Sequence, residues 1–379
     1  VRIPHDPRDQ KPRSTLPYIA ALALALGCGP ASGPDHEADT FDEGDTDASS
    51  EDVGGPDSNS GDTGDASTLD GDIRDDDAEE SAPFVLVTFN TGSGANPPSE
   101  GNGGFGPEQS DISDDWFGNG LAWKTIVDDT TEFFAVLDAD IVTFQEIFWP
   151  GECEEIPEEL HAGFVCEDDP APDDTVAEQV LGPEYQVACH PGSPDKCIAV
   201  KRSFGHIEGC DGDLCLDGLR GTAVEGCGRG ARLAAGTIVR ADGGPPINVV
   251  NVHGTSGFEP TDQDCRVREV DRIFLGTETL DPLANGAVNL IVGDFNTDPG
   301  RGLDVSAARW LDYVGGDHPF QFLTDVGQDA QPTYILVNID HAVSDTFEGD
   351  CVHAGITEGT ERVTPFVHFD HAPVICTLR

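Results

Sequence analysis

Positive charge is what this chain has least of: across 379 residues, 20 Lys and Arg stand against 72 Asp and Glu, a formal charge of -52. A protein that grips duplex nucleic acid gains much of its affinity by releasing counterions from phosphates, and that needs a basic surface. The deficit does not come from one end alone. Residues 1–81 hold 21 acids and 5 bases, leaving 51 acids and 15 bases, a net of -36, in the remainder. An acidic surface with few Lys also suits a salty habitat. Methionine is absent altogether, so the start at Val1 is expected to be misassigned or to follow a missing segment. No paired CxxC with zinc spacing occurs, which turns the 11 Cys away from a structural zinc site. No apolar run is long enough to span a bilayer, and no internal repeat is visible.

What is present divides the chain in three. Arg8, Lys11 and Arg13 precede a short apolar run, Leu16 to Leu26, that reaches Gly27 and Cys28, the order of charge and apolarity in a secretory signal. Residues 1–28 read as a signal peptide, and the ending ALGC resembles a bacterial lipoprotein processing site with Cys28 as the lipidated residue; an ordinary cleaved signal is the alternative. Residues 29–83 are Asp, Glu, Ser, Gly, Thr and Pro with almost no large apolar side chain, a composition that cannot bury enough surface to fold, and read as a disordered acidic tether. Setting Cys28 aside leaves ten Cys, an even number that favours disulfides in an exported protein. Proximity in sequence suggests Cys153 with Cys166, Cys189 with Cys197 and Cys210 with Cys215, and leaves the other pairings open.

From residue 84 to 379 strands alternate with helices. The strand candidates are FVLVTFN, DADIVTFQE, segments near 185–188 and 197–200, GTIVRA, INVVNVH, NLIVG, and segments around 339–343 and 373–378; the helices fall near 121–137, 264–280 and 305–311. Residues 91 to about 115 read as a loop rich in Gly, Asn and Pro. This order at this length predicts a layered α/β domain.

Polar residues recur where apolar strands end: Asn90, Glu146, His253, Asp294 with Asn296, Asp340, and Asp370 with His371. A single such residue reads as turn chemistry. So many in one kind of position point to a site, because α/β folds build sites at strand ends. Carboxylates and an amide are hard oxygen ligands suited to Mg²⁺, and two His can move protons. In VNLIVGDFNTDPG the alternation of an extended strand would set Asp294 and Asn296 on one face.

The series TFN, QE, NVH, GDFN, ID and DH, in this order, resembles the endonuclease/exonuclease/phosphatase superfamily, which includes deoxyribonuclease I, abasic-site endonucleases, bacterial sphingomyelinases and inositol polyphosphate phosphatases. The resemblance implies a deoxyribonuclease I-like α/β fold, a four-layer sandwich of two mixed β-sheets flanked by helices. It implies Mg²⁺-dependent hydrolysis of a phosphate ester, with Mn²⁺ or another divalent cation as alternatives. On that pattern Asn90, Glu146 and Asp370 bind the metal. His371, held by Asp340, assists water attack or stabilises the transition state; Asp294 orients or deprotonates the water. Asn296 holds a phosphate oxygen, and His253 donates to the phosphate or leaving group.

The chain departs from the pattern at Phe369, where the family has Ser before the final Asp-His. Its Arg residues cluster only at Arg220, Arg229 and Arg232, open between a structural and a substrate role, and at Arg266, Arg268 and Arg272, read as a solvated helix face. His190, His206, His318, His341, His353 and His368 match no motif and are expected to be structural or superficial. The function expected is an exported phosphodiesterase, lipid-anchored at a membrane surface, acting on a small or lipid phosphodiester. A deoxyribonuclease I-like extracellular nuclease is the alternative, with nucleic acid less favoured by the charge, and a catalytically silent surface binding protein of the same fold is another.

Overall fold

A computed structural model describes residues 82–93, 104–118, 121–168, 174–190, 193–212, 214–215, 219–224, 226–227, 231–277, 279–302, 304–365 and 368–379. The signal segment, Cys28, nearly all of the tether and Arg229 lie outside the described residues.

Among the described residues, fourteen strands build two mixed sheets. The first runs in the spatial order β13 (Gly349–His353), β14 (Val374–Leu378), β1 (Phe84–Asn90), β2 (Ile141–Gln145), β4 (Ser193–Lys201), β3 (Tyr185–His190) and β6 (Leu214–Cys215). The second is ordered β11 (Gln321–Phe322), β12 (Asp340–Ser344), β10 (Val288–Asp294), β9 (Ile247–His253), β8 (Ala231–Arg240) and β5 (Gly205–Ile207), with β7 (Arg220–Ala223) on the remaining edge of β8. The helices are α1 (Pro107–Trp116), α2 (Lys124–Leu137), α3 (Val176–Leu181), α4 (Pro260–Phe274) and α5 (Val305–Leu311).

Side-chain alternation along the central strands explains the layering. On β1, Phe84 and Leu86 join the core between the sheets, whereas Val87 and Phe89 face outward onto a core shared with α2 and α3. On β10, Val288, Leu290 and Val292 face the same inter-sheet core, and Ile291 faces a third core with Val270 and Ile273 of α4 and Trp310 of α5. Strands apolar on both faces read as continuous apolar runs because each face is covered. Among the described residues no helix is long and apolar enough to cross a membrane.

Most elements lie where the sequence places them, and the differences have physical causes. Helix α1 replaces part of the expected loop; its inward residues are Ser110 and Ser113, so it has no apolar stripe to read. Helix α4 starts at Pro260 and stops at Phe274, shifted toward the N-terminus of the expected segment because a Pro suits the first turn. The short strands β5, β6, β7, β11 and β13 have too few residues to show a period. Five disulfides join Cys153–Cys166, Cys189–Cys197, Cys210–Cys215, Cys227–Cys265 and Cys351–Cys376, as suits an oxidising compartment.

Candidate active site

One end of the sandwich collects the polar strand termini. In the second sheet, His253, Asp294 and Asp340 close β9, close β10 and open β12, and the register sets Asp294 directly beside both of the others. In the first sheet Asn90 is level with Gln145, and Glu146 follows at once with φ 56, a left-handed conformation uncommon outside Gly, Asn and Asp. The sheets are bolted together just behind this end: the Gln145 amide donates to Asn251 Oδ1 at 2.7 Å, and Asn251 donates to the carbonyls of Phe144 and Cys197. Asp370 and His371 link the halves. The Asp370 N–H donates to Gly92 O at 3.1 Å, while His371 bridges to Tyr334 ahead of β12.

Asp294 is the hub. Its Oδ2 accepts from Asn90 Nδ2 at 3.0 Å and Asn296 Nδ2 at 2.9 Å, with His371 Nε2 at 3.8 Å and His253 Nε2 at 3.9 Å. Its Oδ1 accepts the Asn296 N–H at 2.7 Å. Asp294 and Asn296 therefore meet, but not by strand alternation: β10 ends at Asp294, and Asn296 turns back with φ 49. Both amide hydrogens of Asn296 are engaged, one on Asp294 at 2.9 Å and one on Gly254 O at 3.0 Å. Gly254 is required there, since a Cβ on it would stand 2.4 Å from Phe295 O.

Charge is partitioned across this end. Burial pushes Asp294 up to about 6, helped by the Asp340 charge and opposed by His371 and His253. Burial alone would hold His371 down, but the carboxylates of Asp340 and Asp294, together with its Nδ1 hydrogen bond of 2.8 Å to Asp340 Oδ2, push it up to about 10. The result is an imidazolium beside a carboxylate poised near neutrality.

On the first sheet three oxygens converge. A Cβ added to Gly92 would lie 2.8 Å from Glu146 Oε2, 3.0 Å from Asp370 Oδ1 and 3.3 Å from Asn90 Oδ1. Asp370 Oδ1 is buried without a hydrogen-bond partner, and burial raises the Asp370 carboxyl, with Glu146 adding to the rise and His371 opposing it. Two carboxylates and an amide oxygen around one small space, one of them orphaned, fit a hard divalent cation. Asp294, Asp340 and His371 also bring one donor atom each within 4.8 Å of one another, a second group that could hold a cation. Glu146 Oε1 lies 3.2 Å from His253 Nε2, connecting the two sets.

All eight residues singled out in the sequence thus fall in one place, and others that carry no motif support them. Thr333 Oγ1 accepts the N–H groups of Ile339 and Asp340. At the same end of the first sheet are His190, closing β3, and Lys196, whose side chain is buried in an ion pair with Asp195 at 2.9 Å. Burial and Lys196 both lower the His190 pKa. A lone Lys in a strand gives no signal in sequence.

Phe369 takes its ring into the outer core, edge-on to Phe89 at 4.8 Å. His206 and His318 are exposed; His341, His353 and His368 are buried. The Arg cluster on α4 is not a solvated face. Arg266 is 1% exposed, donating to the carbonyls of Thr255 and Gly257, to Ser306 and to Asp304, and Arg272 is also buried; only Arg268 is exposed. Arg220 donates to Asn248, at the far end of β9 from His253.

No family model matches the sequence. No curated protein matches it either. Solved structures do: a humanised D. rerio TDP2 carrying 14 mutations (11% identity, TM-score 0.45, covering 79% of this chain and 100% of that one); the human nocturnin catalytic domain with bound sulfate (14%, 0.44, 78% and 94%); and a Bacteroides thetaiotaomicron endonuclease/exonuclease/phosphatase family protein (15%, 0.43, 78% and 95%). This chain's own sheet order gives an α/β sandwich of two mixed β-sheets flanked by helices, with the motif residues gathered at one end.

Proposed function

We propose that this chain is a divalent-cation-dependent phosphoester hydrolase, a phosphodiesterase for a small or lipid phosphodiester, exported and anchored at a membrane surface through a lipid on Cys28. The observation that carries the chemistry is Asp294, lifted to about 6 and flanked by two imidazoles, beside the orphaned oxygen of Asp370.

Asp294 takes the proton of the attacking water as the new P–O bond forms, because His371, already protonated, has no lone pair for it. The His371 imidazolium, held by Asp340, faces the charge that builds on the phosphoryl group, and His253 donates to the phosphate or the leaving oxygen. Asn296 keeps Asp294 in place. Asn90, Glu146 and Asp370 would hold Mg²⁺ or Mn²⁺, which when bound polarises a phosphoryl oxygen and offsets developing charge. The charge of -36 outside residues 1–81 favours local recognition of one phosphate over a long track along duplex DNA.

The test is hydrolysis of bis(p-nitrophenyl) phosphate, sphingomyelin vesicles, inositol phosphates, RNA and plasmid DNA by wild type, Asp294→Asn and His371→Ala. Diester hydrolysis that needs Mg²⁺ and falls by roughly a hundredfold or more in either variant is expected. Equal turnover in EDTA sinks the metal chemistry. Plasmid nicking alone, abolished by His371→Ala, replaces the substrate assignment with a nuclease.

A further inference from the structure

Beside His371 stands a tight hairpin that folding physics does not explain. Tyr334 and Val337 exchange both backbone hydrogen bonds, at 3.0 and 2.8 Å, leaving Ile335 and Leu336 as its two-residue tip. Such tips favour Asn and Gly, which tolerate positive φ. Here Ile335 adopts φ 46 and is 62% exposed, and Leu336 is 56% exposed. A β-branched residue in the left-handed region is strained, and strain of this kind gathers where function needs it. Nor is the tip loosely placed: Arg301 donates to Leu336 O at 2.5 Å, Asn338 N–H donates to Asp298, and the Tyr334 ring lies 4.7 Å from the His371 ring.

Beside the hairpin is an open cavity of about 230 Å³, lined by apolar Ile335, Ile356 and Val363 but also by Arg362 and Thr364, and reaching His371. Phe369, the residue that departs from the Ser of the motif, also borders the cavity. A substrate phosphate facing His371, which lines the cavity, would present one of its substituents here.

Resting on the phosphodiesterase reading above, we propose that this cavity is a subsite for an alkyl substituent on the phosphoester, with Ile335 and Ile356 as specificity-determining residues. Each methylene that leaves water on entering an apolar site strengthens binding by about three- to fourfold, so affinity should climb with chain length until the cavity is full.

The experiment measures binding of monomeric n-alkyl phosphates, methyl through octyl, by calorimetry in Mg²⁺ to wild type, Ile335→Asn and Ile356→Ser. Wild type is expected to show the graded rise and both variants a flattened one. Asn suits the left-handed backbone, so Ile335→Asn should melt no lower than wild type, which separates a lost subsite from a lost fold. A flat series in wild type, or a rise that survives both substitutions, overturns the subsite. Binding to phosphatidylcholine vesicles without any graded rise for the monomers also overturns it, in favour of a membrane contact. Graded binding by a protein that hydrolyses no diester leaves the subsite standing and removes the hydrolase. Hydrolysis without chain-length dependence in binding does the reverse.

Discussion

A methyl group at position 92 would occupy the space enclosed by Glu146, Asp370 and Asn90. Gly92→Ala should therefore abolish saturable Mg²⁺ binding in calorimetry while leaving the melting temperature within a few degrees of wild type; full-strength binding would place the cation elsewhere. A second residue, His341, tests stability. Its Nδ1 pairs with the Thr324 hydroxyl and its Nε2 with Asn338 O, both at 2.9 Å. Burial pushes it down to about 4 from an ordinary 6.5. The unfolded chain binds that proton first, so the contribution is whole above pH 6.5 and is lost as pH falls from there to 4, on the order of 3 kcal/mol. Urea unfolding of wild type and His341→Gln should show the variant less sensitive across that window; parallel pH profiles would exclude His341. The site's donors were legible because each ends an apolar strand. Gly92 was not, because the meaning of a glycine lies in what surrounds it, and Asn296 was legible as a partner of Asp294 but not in its backbone turn.

Helix α4 shows where reading by element succeeds and where it misleads. Its periodicity was plain, yet a buried Arg looks in sequence like a solvated one. Arg266 ties α4 to the loop that follows His253 and to Asp304, the cap of α5, whose side chain accepts the Ala307 N–H. Ser306 and Thr297 also donate to Asp304, so Arg266→Met leaves Asp304 partnered and strands chiefly the carbonyls of Thr255 and Gly257. The expected loss in urea unfolding is about 3 kcal/mol, with the loop beyond His253 gaining fast hydrogen exchange. A loss below about 0.5 kcal/mol would return the helix to the solvated face first read. Phe295, between Asp294 and Asn296, stacks on Trp310 of α5 at 4.0 Å, so α4 and α5 together brace the site from behind.

At the scale of the molecule, charge works against folding. A net of -36 outside residues 1–81 repels itself, and salt at about 1 M shrinks the screening length to roughly 3 Å. The melting temperature should rise by several degrees between low and molar NaCl; a flat profile would show that the acids are spaced widely enough not to matter. The layered fold was legible from strand order, whereas the pairings Cys227–Cys265 and Cys351–Cys376 were not, since each joins elements that only the tertiary arrangement brings together.

The pairing of β1 with β14 sets Phe84 against Leu378 and Val85 against Thr377, so the opening strand of the first sheet finds one of its two neighbours far along the sequence. During synthesis, N-terminus first, β2 becomes available to β1 early on one side, while the other edge of β1 stays bare until β14 has left the ribosome. The sheet cannot close before β14 is made, and Asp370 and His371 arrive with that late segment. Assembly of the first sheet and of the shared end therefore waits on a long-range closure, slow by its topology.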